Sequence, residues 1–259
     1  MTLTLEQLYD DRYYQLNQPE ADKAVASGKY SSRKEYFIKE GAAKGDNPNQ
    51  FFNTKFYLSV NTEAAAAVQS GQYSSAVDYF VKVGNAKGDV PSADFKSNFY
   101  LLNNPQVKTD ITSGKYSSAY EQFITVGFNA GTAPNPIFDE KYYLAENKDV
   151  AQAIAKGIFK SGYEHYFYFG KKEQRDCSAL FDTKFYLAKN PDVAAKVATG
   201  EVASAYDHFI SVGIKENRSC SALFDANYYL QTNPDVAKAV STGETTAIQH
   251  FLLFGIKEN

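Results

Sequence analysis

The chain of 259 residues has no tryptophan, one methionine and two cysteines. Two cysteines cannot make the disulfide framework that small secreted scaffolds rely on. There is no CxxC pair and no Cys/His spacing of the zinc-finger type, which sets those zinc sites aside. No stretch approaches the run of about 18 apolar residues that a membrane-spanning helix needs. The opening residues MTLTLEQLYDD lack the basic and then apolar order of a secretory signal. An excess of either charge is also missing. The 27 Lys and Arg against 30 Asp and Glu leave a net charge of −3, so nothing draws the whole chain toward nucleic acid or an anionic membrane. Nucleophile elbow, phosphate-binding loop and dinucleotide fingerprint are all absent.

What is plentiful is tyrosine (20) and phenylalanine (19), in a chain that is 44% hydrophobic. That is enough apolar surface for a packed core. These rings are periodic. Aromatic anchors stand at Tyr9, Phe52, Phe95, Phe138, Phe181 and Phe224, in steps of 43 residues. A tyrosine follows each anchor by five: Tyr14, Tyr57, Tyr100, Tyr143, Tyr186 and Tyr229. Two glycine series run in parallel, Gly28, Gly71, Gly114, Gly157, Gly200, Gly243 and Gly41, Gly84, Gly127, Gly170, Gly213, Gly255. Six repeats follow: 9–51, 52–94, 95–137, 138–180, 181–223 and 224–259.

Local chemistry divides each repeat into three short helices. In repeat five, Asp182 suits an N-cap for a helix over 183–189. Asn190 and Pro191 then open a second helix running to Thr199, with Gly200 in the left-handed position that stops it. A third helix starts at Ser204 and ends before Gly213. Its start carries a capping box in every repeat: Ser32 with Glu35, Ser75 with Asp78, Ser118 with Glu121, Ser161 with Glu164, Ser204 with Asp207 and Thr246 with Gln249. Helices this short are unstable alone, since isolated helices below about 12–15 residues are marginal in water. Stacked repeats would bury a shared aromatic spine, formed by the anchors with Phe37, Phe80, Phe123, Tyr166, Phe209 and Phe251. The expectation is an all-α solenoid, read as one array over 1–259. Repeats four to six agree closely, one to three drift, and the linkers change from Gly/Pro-rich to charged near Ile137.

Each candidate site has a structural alternative. His165, His208 and His250 occupy one position in repeats four to six. Stacked helices lie about 8–10 Å apart, too far for one ligand per repeat to share a zinc ion, so each is expected to meet a neighbouring backbone group. Cys177 and Cys220 have the same one-repeat offset, beyond the roughly 7 Å limit for a disulfide, and are expected as free thiols in linkers. Asp149, Asp192 and Asp235, with the aspartates after the anchors, offer too few oxygens together for calcium and fit helix capping instead. The tyrosine series, Tyr14, Tyr57, Tyr100, Tyr143, Tyr186 and Tyr229, is the one ligand candidate. As an exposed ladder it would stack on sugars or bases; otherwise it belongs to the core with its hydroxyls satisfied. No metal, cofactor or catalytic residue is assigned.

The pattern FDxxYYLxxNPDVAxAVxxG…SAxxHFxxxGxxENR, clearest at 181–217 and 224–259, resembles a repeat of bacterial, especially cyanobacterial, proteins. There it accompanies haemolysin-type calcium-binding repeats in surface or secreted proteins. Similar FDxxWYLxxNPDV units stand beside rhamnan-synthesis-type glycosyltransferase domains. In the first three repeats NPDV decays to QPEA, NTEA and NPQV. The resemblance implies an accessory, non-catalytic module, and leaves a cell-surface location by a signal-free route level with a cytoplasmic one.

The function expected is therefore non-enzymatic: a scaffold that binds another protein or a polysaccharide. One alternative is a structural protein that self-associates through the open end left where the array stops inside a repeat at Asn259. Another is a carrier of a hydrophobic or pigment ligand. Neither nucleic acid binding nor membrane insertion is expected.

Overall fold

A computed structural model describes residues 3–255 of the chain. The described residues are helical with no β-strand; two isolated bridges, Ser178 with Phe181 and Ser221 with Phe224, close tight linker turns. The first helix recurs at the expected step, as Asp11–Asn17, Thr54–Val60, Ser97–Asn103, Glu140–Glu146, Thr183–Lys189 and Ala226–Thr232. Asp10, Asn53, Asp139, Asp182 and Asp225 cap it through their side chains, whereas Lys96 cannot. The second helix follows after one residue, as in Pro191–Ala198, and stops at Gly200, whose φ of +75° suits a residue without Cβ. Repeated packing of these short helices gives the all-helical architecture expected of an α-solenoid.

The third helix departs from expectation. It is α-helical for one turn only, as in Ala205–His208, and then widens into a π-turn, Phe209–Gly213. The same change occurs at Phe37–Gly41, Phe80–Gly84, Phe123–Gly127 and Tyr166–Gly170. The second glycine series is thus not a set of helix stops: Gly41 and Gly84 have ordinary right-handed backbones. A Cβ on Gly41, Gly84, Gly127, Gly170 or Gly213 would run into the hydroxyl of the tyrosine five residues after the anchor. These glycines allow a close approach, a different reason from the one that places Gly200.

The capping boxes form by halves. Each Ser or Thr accepts from the third backbone N–H, as Ser32 does from Glu35 and Ser118 from Glu121. The acidic side chain does not return to the cap residue's own N–H. In repeats one to four it reaches one residue further back, Glu35 to the N–H of Ser31, Asp78 to that of Ser74, Glu121 to that of Ser117 and Glu164 to that of Lys160, whereas Asp207 accepts from the Ser204 hydroxyl.

Contacts gather into two compact units, an N-terminal one ending at Phe128 and a C-terminal one starting at Asn129. In both, packing reaches past the adjacent repeat. In the N-terminal unit the Phe51 ring lies 4.8 Å from that of Phe123, and Tyr120 donates to Asn49. In the C-terminal unit Asn135 donates to the Tyr206 hydroxyl at 3.0 Å. A stack touching only nearest neighbours would make none of these.

The core is the expected aromatic spine. Phe181, Tyr186 and Phe209 are buried, with ring centroids 5.2–5.7 Å apart in tilted and edge-on arrangements. Phe52, Tyr57 and Phe80 repeat the cluster in the N-terminal unit.

Candidate functional site

The tyrosine series lies inside this core. Tyr14, Tyr57, Tyr100, Tyr143 and Tyr186 are buried, their faces covered by the anchor and third-helix rings. None of these five presents a face for a sugar or base. Each hydroxyl has a fixed partner, which a buried phenol requires. Tyr14 donates to Asp46, Tyr57 to Asp89 and Tyr100 to Gln122. Tyr143, Tyr186 and Tyr229 pair with Nδ1 of His165, His208 and His250 at 2.8–2.9 Å. At Nδ1 the histidines therefore meet a tyrosine side chain of their own repeat, where a neighbouring backbone group was expected. The sequence signal was the His that stands 22 residues after the tyrosine in two successive repeats. Burial lowers the pKa of His208 and raises those of Tyr143 and Tyr186.

The linkers of repeats four and five are held by a second recurring device. Arg175 donates to Asn147 Oδ1 at 2.8 Å and forks both carboxylate oxygens of Asp149 at 2.7 and 2.9 Å. Arg218 donates to Asn190 Oδ1 and to one carboxylate oxygen of Asp192, both at 2.9 Å. Hydrogen bonding from Arg175 takes the Asp149 carboxyl down to about 2, and Arg218 lowers that of Asp192. Two residues beyond each arginine is the cysteine. The carbonyls of Cys177 and Cys220 accept from the N–H of Asp139 and Asp182, each at 2.9 Å. The thiols are free, as expected, and also buried, and burial pushes the Cys220 thiol up to about 12 and raises that of Cys177 too. High thiol pKa values leave little thiolate, so neither cysteine is a ready nucleophile. The NPDV aspartates of these repeats are thus arginine partners as well as acidic residues in a helix's first turn.

Repeat six keeps the acidic half of this device. A cavity of about 500 Å³ opens there, lined by Leu223, Phe224, Tyr228, Tyr229, Asn233 and Phe251 among others. Leu223 is 69% and Tyr228 67% exposed, whereas Leu180 and Phe185, their counterparts in repeat five, are half-buried. Tyr229, alone of the tyrosine series in being only half-buried, lines this space. No group of three or more His, Cys, Asp or Glu among the described residues is arranged to hold a metal ion, and no described helix is long and apolar enough to cross a membrane.

No family model, curated protein or solved structure matches the chain.

Proposed function

We propose that the protein is a non-catalytic repeat scaffold whose surface binds another protein, or a glycan on such a protein. One observation carries this reading: the side chains best suited to chemistry stand at equivalent positions of successive repeats and are engaged in structural contacts. The buried tyrosines satisfy aspartate, glutamine or histidine, the linker arginines clasp Asn147, Asp149, Asn190 and Asp192, and both thiols are enclosed. Catalysis draws on convergent groups of unlike roles in one cleft, and such repetition separates them instead. The likeness of the FDxxYYLxxNPDV pattern to accessory modules of bacterial surface proteins supports the same reading. Crosslinking pull-down with the whole chain from lysate and from medium tests it. A stoichiometric partner in one fraction is the expected result. Bait recovered only as multiples of itself would favour a self-assembling building block.

A further inference from the structure

Burial of the aromatic spine explains why repeats stack, but not in which order. Repeats four to six present nearly the same rings to their neighbours, so apolar packing alone would let one stand in for another. The side chains that differ lie at the joints. One such position follows the π-turn glycine and is held by Ala42, Asn85, Phe128, Lys171 and Ile214 in turn. A second stands near the end of each linker, as Asn49, Ser92, Asn135, Ser178 and Ser221.

In the C-terminal unit the two positions converge on one place. Tyr206 and Asp207 are adjacent on the first turn of the third helix of repeat five, and each receives a polar side chain from another repeat. Asn135, from the linker of repeat three, donates to the Tyr206 hydroxyl at 3.0 Å. Lys171, from repeat four, sets Nζ 2.8 Å from Asp207 Oδ1 and 5.5 Å from the centre of the Tyr206 ring, with the Phe167 ring of its own repeat 4.3 Å away. Only 11% of the lysine side chain is exposed. Asp207 Oδ2 and Asn135 Oδ1 accept in turn from the Ser204 hydroxyl and the Ile137 N–H. The N-terminal unit builds a similar node on the third helix of repeat three. There Tyr120 donates to Asn49 of repeat one, while Asn85 of repeat two bonds Ser117 and Ser118.

Enclosed polar pairs are poor sources of stability, because desolvation offsets most of what the pairing returns. They discriminate well, since a neighbour lacking the matching group leaves a charge or an amide enclosed without its partner. Repeat six shows the mismatch. Ile248 and Gln249 stand where Tyr206 and Asp207 stand. Repeats three and four placed against it would bury Asn135 on a hydrocarbon and Lys171 without a counter-charge.

We propose that the node on repeat five is a register key: it fixes the order in which the C-terminal repeats stack, admitting repeat five and rejecting repeat six beside repeats three and four. A buried polar group that sets register in this way is known from coiled coils. The key also rejects repeat six of a second copy, and so opposes the exchange of near-identical repeats between chains.

The test refolds the whole chain and two variants from urea at micromolar concentration, where exchange between chains competes with folding. Lys171→Met keeps an apolar stem on Phe167 and removes only the charge, while Asp207, 28% exposed, retains the Ser204 hydroxyl. Lys171→Ile combined with Asp207→Gln installs residues that the fold already carries as Ile214 and Gln249. Urea denaturation followed by circular dichroism gives stability. Size-exclusion chromatography with light scattering gives the share of exchanged dimers and larger species. Both variants are expected to keep the wild-type midpoint or exceed it, and to refold with at least about threefold more exchanged species. Exchange no greater than in the wild type overturns the proposal. So does a lowered midpoint in both variants, or failure of both to refold, since the node would then supply stability and not order.

Discussion

The N-terminal and C-terminal units solve the same burial problem with different side chains. Both bury a tyrosine hydroxyl against the glycine of a π-turn, and both must give it a partner. In the C-terminal unit the third helix supplies His165, His208 and His250. In the N-terminal unit that helix position holds Tyr36 and Tyr79 in the first two repeats, and the linker carboxylates of Asp46 and Asp89 take over. Gln122 in repeat three returns the task to the third helix. The fold thus specifies a place where an acceptor must stand, and either of two elements can bring it there. The linkers show the same tolerance. One position is left-handed throughout: Gly45, Gly88 and Gly131 hold it with φ between 72° and 90°, then Gln174 and Asn217 with φ of 57° and 53°. The charged linkers keep the backbone of the glycine-rich ones and accept strain that glycine avoids.

The strongest test of this equivalence is to remove an anchor from each unit. Phe52→Ala and Phe181→Ala should each lose roughly 3–5 kcal/mol in urea denaturation, the usual cost of emptying a buried ring site. A loss below about 1 kcal/mol at either would place that ring outside the core.

Next in size are Gly84→Ala and Gly213→Ala. Each forces a methyl against the tyrosine hydroxyl and the ring of Phe80 or Phe209, and should cost about 2–3 kcal/mol by overpacking. Equal losses in the two units are expected. If these glycines were merely helix stops, alanine would cost no more than about 1 kcal/mol.

Acidification should separate the units. Burial lowers the His208 pKa, so the folded state favours the neutral ring. That stability is complete above the unfolded value near 6.5 and is lost as pH falls through it toward the lowered folded value. All three histidines lie beyond Phe128. The N-terminal unit instead carries carboxylates such as Glu35 and Glu40, held at about 2 chiefly by hydrogen bonds from Lys39 and Lys29. Their contribution is present above the unfolded carboxyl value of about 4 and is lost only below it. Thermal melts of His208→Gln, which installs the side chain that Gln122 uses, should lose the pH 5–7 dependence attributable to this site.

The smallest effect is expected at Gln174. Gln174→Gly should raise stability by roughly 0.5–1 kcal/mol by relieving a left-handed side chain, while Gly88→Ala should lower it by a similar amount. Opposite signs in chemical denaturation are the outcome to look for.

Much of this was legible in the residues, for identifiable reasons. Capping aspartates, the Asn-Pro start and the left-handed Gly200 act through backbone neighbours, so the first and second helices fall where short-range chemistry puts them. The π-turn was not legible, because the Gly41 and Gly200 series look alike as punctuation. What distinguishes them is a tyrosine hydroxyl about 27 residues upstream. The bonds from Tyr120 to Asn49 and from Asn135 to Tyr206 span 71 residues, a separation that a one-repeat period does not suggest. The arginine clasp was visible in retrospect as Arg175 and Arg218, each 26 residues after an NPDV-type aspartate. Those aspartates also fit helix starts, so their spacing to the arginines is not needed to explain them.

One repeat architecture carries interchangeable hydroxyl partners, and a histidine partner such as His208 makes its repeat sensitive to acid where the other partners do not. Hydrogen exchange by mass spectrometry at about pH 7.5 and pH 5, corrected for intrinsic rates, tests it directly. Protection across 204–213 should fall at the lower pH while protection across 75–84 holds, and His208→Gln should remove the difference. Equal loss of protection in both segments, or none in either, would contradict the claim.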